Sequence, residues 1–180
     1  ITPKVADFGN WKSLRGDVVR LDGKITVLGF SGTNLLANRG NLFNLNQKIY
    51  QRYHTFKDLQ FVMLCPVGTE KDAQAVLDAL KAFTDVKQWN FVFATPEEIA
   101  NFYKQMQLKS QLDSNYGTSN VFIFDKERNL RGRKDKEEYK EGYNTFHPAE
   151  LSNEMLDDFK ILLYEYKAAL KKNNNATKQL

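Results

Sequence analysis

Apolar positions along the chain fall into blocks of two different periods. Residues 25–30 read ITVLGF and residues 61–65 read FVMLC before Pro66. Near-continuous apolar runs of this length predict central strands covered on both faces. Residues 89–93 and 121–124 predict two more strands. Between them the period changes: Leu42, Leu45, Ile49 and Tyr53 recur at spacings of three, four and four, which is one face of a helix. Thr69 with Asp72 has the form of a capping box, opening a second helix whose stripe is Ala73, Val76, Leu77, Leu80 and Phe83. Thr95-Pro96-Glu97-Glu98 is a stronger helix start. It has a cap at Thr95, proline at the first helical position and Glu98 reaching back, followed by an inner face of Ile99, Phe102, Tyr103 and Met106.

At the N-terminal end, Arg15-Gly16-Asp17 separates residues 11–14 from 18–21 and predicts a hairpin, with Asp22-Gly23-Lys24 as a further turn. Residues 125–129 turn the chain into 130–133, a second hairpin. A last helix is expected from Ser152, with Leu151 and Leu156 as a hydrophobic staple and Phe159, Leu162, Leu163, Tyr166 and Leu170 facing inward. Its acidic residues come early and its lysines late, which suits the helix dipole. Residues 1–172 read as one domain and 173–180 as a polar, frayed tail. The order hairpin, β, α, β, α, β, α, hairpin, α implies parallel crossovers followed by an antiparallel pair. That is an α/β, thioredoxin-like fold with an N-terminal β-hairpin and a central mixed sheet flanked by helices.

Composition narrows the chemistry. The 180 residues are 42% apolar and 27% charged, ample for a core. Lysine and arginine total 26 against 22 acidic residues, and so mild an excess argues against a dedicated nucleic-acid surface. The single cysteine, Cys65, cannot close an internal disulfide or form a CxxC pair. No apolar run approaches the roughly 18 to 20 residues of a membrane span. Ile1 does not begin a signal peptide, and the missing initiator Met suggests a processed or truncated start, so an N-terminal anchor could have been removed.

The segment GKITVLGFS at 23–31, followed by a loop and helix, resembles the opening of the Sco/SenC family. FVMLCP at 61–66, TPEEIA at 95–100 and VFIFD at 121–125 resemble later parts of that family in the same order. The resemblance covers about residues 8–170. It implies a thioredoxin-fold relative of membrane-anchored copper chaperones of cytochrome c oxidase assembly, and an extracytoplasmic location in the periplasm or cell envelope. The family's copper site uses a CxxxC pair and a histidine. Matching in register puts those positions at Thr33, Ala37 and Gly117, where a hydroxyl, a methyl and a hydrogen cannot replace two thiolates and an imidazole. The family's Asp before Pro is here Cys65, and residues 117–121 lack the proline that disulfide-exchanging thioredoxin folds place beside their site. The expectation is a degenerate, non-catalytic member. It has no cofactor, no metal and no catalytic residue, and acts through a protein partner, in a process such as respiratory assembly.

Rival readings stay open at several residues. Cys65 ends a central strand, on the edge where open α/β sheets present ligands, so a thiol-dependent redox protein or sensor is the alternative to a small buried residue. The loop 31–40 offers a second alternative, a small-ligand carrier with a pocket bounded by Gly117. Its Ser31-Gly32-Thr33-Asn34 start either directs amides at an anion or simply turns and caps. His54 and His147 belong to no ligand-spaced cluster. In residues 126–142, seven basic and five acidic residues among seventeen make either a docking surface or a solvated hairpin. Tyr139, Tyr143 and Phe146 beside them are contact anchors on the first reading and core on the second. Asn175-Ala176-Thr177 matches a glycosylation sequon.

Overall fold

The computed structural model describes residues 4–135 and 138–178. The two apolar runs pair in parallel at the centre of the sheet: β2 (Ile25–Ser31) lies beside β3 (Leu59–Pro66) with Val27 opposite Phe61. Every residue of both strands is buried, because helices cover both faces. β4 (Trp89–Ala94) extends the parallel set on the far side of β3, and β5 (Gly117–Phe124) pairs antiparallel with β2. The main sheet runs β1-β4-β3-β2-β5-β6, where β1 is Lys12–Ser13 and β6 is Leu130–Arg131. β7 (Arg133–Asp135) and β8 (Glu138–Lys140) form a separate hairpin, and β9 (Tyr143–Asn144) returns to pair with β5.

The pleat sorts the strands into two cores. Ile25, Val27, Phe61, Met63 and Cys65 face α1 (Arg39–Leu45), α3 (Glu70–Lys81) and the last helix. Leu28, Phe30, Val62 and Leu64 face α4 (Pro96–Gln105) and the N-terminal residues Val5 and Phe8. Thr95 caps α4 as expected: its hydroxyl accepts from Glu98 N while Glu98 accepts from Thr95 N. Glu98 also takes the Trp11 indole N–H at 2.8 Å, fastening the N-terminal segment to this helix.

Several local expectations need correction. The N-terminal turn forms, with Ser13 N donating to Asp17 O at 2.8 Å, but the arms share only the isolated bridge of Lys12 with Val18, and β1 pairs as a strand with β4 instead. Beyond it, the Arg15 guanidinium donates to the Val86 and Trp89 carbonyls and covers that edge of the sheet. Thr69 makes no side-chain cap; its hydroxyl donates to the Pro66 carbonyl at 2.7 Å, and Glu70 accepts from Gly68 N instead. Phe83 lies past the end of α3 and is 68% exposed. The last helix starts before Ser152: α5 (Pro148–Glu150) leads through a π-helical turn at Leu151–Met155 into α6 (Leu156–Lys178). Phe159, Leu162 and Leu163 are buried as expected, Leu170 is exposed, and α6 runs on to Lys178.

The first helix contains a comparable π turn, at Asn46–Tyr50, before α2 (Gln51–Tyr53). The turn buries Asn46, whose Oδ1 accepts from the Trp89 indole at 3.1 Å, and Tyr50, whose hydroxyl donates to the Asp85 carbonyl at 2.6 Å.

Candidate functional site

At the C-terminal end of β2 the chain meets the loop that enters β5, and both segments are held by main-chain contacts. Ser31 is the register partner of Gly117. Gly32, at φ +66°, lies so close to this loop that a Cβ there would stand 2.9 Å from Asn115 O and 3.0 Å from Gly117 Cα. A Cβ on Gly117 would in turn meet Gly32 Cα and Ser31 O at 3.1 Å, so the two glycines are what allow the backbones to touch. Asp113 organises the loop: Oδ1 accepts from Asn115 N and Gly117 N, and its own N–H donates to Gly117 O. Tyr116 pays for the tight turn with a left-handed φ of 65°.

Thr33, Ala37 and Gly117 are absent from the lining of the cleft described below. Thr33 donates its N–H to Asn115 O at 3.0 Å and its hydroxyl to Asn115 Oδ1 at 3.2 Å, so the start of loop 31–34 is tied to protein atoms and does not aim its Thr33 amide at an anion. Thr33 and Ala37 are exposed, in a run of turns that precedes α1. Gly117 is buried beneath Gly32.

Cys65 is fully buried in the core cluster that also holds Met63 and Val27. Burial pushes its thiol up to about 12, outweighing a hydrogen-bonding contribution from Ser31, and its Sγ contacts Met63 O at 3.4 Å. At neutral pH this is a thiol without access and without thiolate character. Half-buried His54 stacks on Tyr50, and His147 is exposed beside Phe146. Among the described residues no group of three His, Cys, Asp or Glu side chains converges.

Several charges of the segment 126–142 pair with residues elsewhere in the chain. Lys126 meets Asp58 at 3.1 Å, Arg131 meets Glu165 at 3.0 Å, and Lys140 lies between Glu150 and Glu154. Glu141 accepts from Lys109 N and the Ser110 hydroxyl. Lys136 and Glu137 lie outside the described residues. Tyr143 is not on the surface: it is buried with its hydroxyl on Asp158 at 2.6 Å, and burial together with that carboxylate pushes its pKa well up. Tyr139 and Phe146 remain exposed, Phe146 at 67%. The side chains of the sequon at 175–177 lie outside the described ones.

A cleft of about 230 Å³ opens beside the glycine contact, between α1, the ends of β2 and β5, and Thr145. Leu35, Leu42, Met63 and Val121 supply apolar lining, and Asn38, Asn41, Asp113 and Ser119 supply polar lining. Gly29 makes room for the Met63 side chain: a Cβ there would stand 2.5 Å from Met63 Sδ. Sequence reasoning placed a pocket at loop 31–40 and Gly117. The cleft uses Ser31, Leu35 and Asn38 of that loop, but its remaining lining comes from distant segments that no local pattern connects.

These features define a protein of the thioredoxin-like fold, and solved structures agree. BsSco, a member of the Sco family of cytochrome c oxidase assembly proteins in which a disulfide switch was identified, aligns with a TM-score of 0.59 at 16% identity, over 94% of each chain. A putative electron transfer protein from Aquifex aeolicus VF5 aligns at 0.59 and 17% identity over 89% of each chain. A putative protein disulfide isomerase from Bacteroides thetaiotaomicron aligns at 0.55 and 14% identity, covering 98% of this chain and 94% of the other. No family model and no curated protein sequence matches the chain.

Proposed function

We propose that this protein is a degenerate relative of the Sco/SenC type that has exchanged copper and disulfide chemistry for binding. It acts on an extracytoplasmic protein partner, in assembly of the cell envelope or of a respiratory complex. The observation that carries this reading is the contact of Gly32 with Gly117. Main chain occupies the space into which a side chain at 117 would have to grow, while Thr33 is bonded to Asn115 and Ala37 stands outside. The location follows from the resemblance to Sco proteins. Among the described residues no helix is long and apolar enough to cross a membrane.

The thiol alternative is disfavoured by the burial of Cys65. Cu(I) titration in competition with a chromophoric chelator tests the main reading. The expected result is no stoichiometric complex with either the native chain or Cys65→Ser. A tight one-to-one complex with the native chain would overturn it, and loss of that complex in Cys65→Ser would move the chemistry to the thiol.

A further inference from the structure

The cleft beside the glycine contact combines two kinds of lining. Part of it is aliphatic, from Leu35, Leu42, Met63 and Val121. The rest includes amides and hydroxyls with capacity to spare. Among the described residues, the side chains of Asn38, Asn41 and Ser119 make no hydrogen bond. Ser31, 7% exposed, donates to the Gly32 and Leu64 carbonyls at 3.3 Å and also interacts with Cys65, so it is the most engaged of these groups. No Lys, Arg or His lines the cleft, and its one charge is Asp113, whose Oδ1 is already committed to Asn115 and Gly117. An anion would therefore lose its hydration without gaining a cation and would meet a carboxylate. A cation would find a single, partly engaged carboxylate among neutral dipoles. A neutral group that both donates and accepts meets a partner on each side.

We infer that this cleft binds a small uncharged aliphatic carboxamide, its hydrocarbon part against Leu42, Met63 and Val121 and its amide among Asn38, Asn41 and Ser119. The volume matches such a molecule, since about 230 Å³ is the room of seven or eight waters at roughly 30 Å³ each. The inference rests on the reading that this end of the sheet has no metal or thiol chemistry, and it names what the end holds instead. The carboxamide is a free small molecule in this proposal, because a cleft of about 230 Å³ has room for little beyond one branched hydrocarbon group and its amide.

Three probes of one shape test it on the full chain: isovaleramide, isovalerate and isoamylammonium, followed by amide and side-chain NH₂ resonances in nitrogen-correlated NMR. Isovaleramide should shift the Asn38, Asn41 and Ser119 signals saturably in the millimolar range, the strength expected of so few atoms. Isovalerate should bind at least about tenfold more weakly, the effect of losing one or two hydrogen bonds and facing Asp113. Asn41→Asp, an isosteric change in α1, should weaken isovaleramide about tenfold and favour isoamylammonium, while the spread of the remaining resonances reports an intact fold. Asn38→Ala should weaken the amide as well. Equal binding of all three probes, preference for isovalerate, or no saturable shift would overturn the assignment. Failure here with copper still refused would leave the proposed function standing, whereas tight copper binding would remove that reading whatever the amide does.

Discussion

At the residue scale, the most consequential side chains are those buried with an ionisable group. Cys65 and Tyr50 both have pKa values raised by desolvation to about 12, from 9.0 and 10.0, and Tyr143 is raised further by Asp158. In the unfolded chain these groups ionise first, so their contribution to stability is complete below about pH 9 and is lost as pH rises toward about 12. Urea midpoints should hold steady from pH 7 to 9 and then fall. Cys65→Ala should remove the earliest part of the fall, between about 9 and 10, and leave the tyrosine part. An unchanged profile in that variant would mean the thiol ionises as readily folded as unfolded. The burial of Cys65 was legible, since a small apolar residue inside FVMLC is a core residue by type. The contacts of Gly29, Gly32 and Gly117 were not, because a glycine's neighbours across a sheet leave no mark on the sequence beside it.

At the element scale, legibility tracked how local the cause was. The α4 cap lies wholly within Thr95-Pro96-Glu97-Glu98, and the structure reproduces it. Thr95→Ala should cost about 1 kcal/mol in chemical denaturation. Thr69 carries the same kind of signal but hydrogen-bonds backward to Pro66, a choice set by how β3 ends. The π turn at Asn46–Tyr50 answers to a tertiary demand as well, as it buries Asn46 against the Trp89 indole. Spacings of four from Leu45 to Ile49 to Tyr53, slightly long for a 3.6-residue turn, were its only trace. Asn46→Leu should therefore cost about 1–3 kcal/mol by stranding a buried indole N–H, despite raising apolar content. A neutral result would show that the indole finds water. The start at Pro148 was missed because the staple pattern at Leu151 and Leu156 also fits the interior of a longer helix.

At the scale of the whole molecule, the order of elements was enough to give the fold, since two central strands buried on both faces and a right-handed succession of crossovers leave few arrangements. Of the proposed site, only the residue types at Thr33, Ala37 and Gly117 were legible. The packing around them depends on two segments about eighty residues apart, Gly32 to Thr33 and Asp113 to Gly117. On the proposed reading, placing the family's ligands as Thr33→Cys, Ala37→Cys and Gly117→His together should fail to give a tight copper complex. Gly117→Ala alone should cost about 1–3 kcal/mol, because its new methyl meets Gly32 and Ser31 backbone at 3.1 Å. A triple variant that binds copper stoichiometrically and melts like the parent would show the backbones yielding easily.

The glycine crossing thus works as a ratchet. Once two main chains have settled into mutual van der Waals contact, adding a side chain at either glycine requires a loop to retreat before any new donor atom is useful. Single substitutions at this crossing would carry the strain without the reward, so new chemistry can enter this end of the sheet far more readily from the neighbouring positions than from the crossing itself.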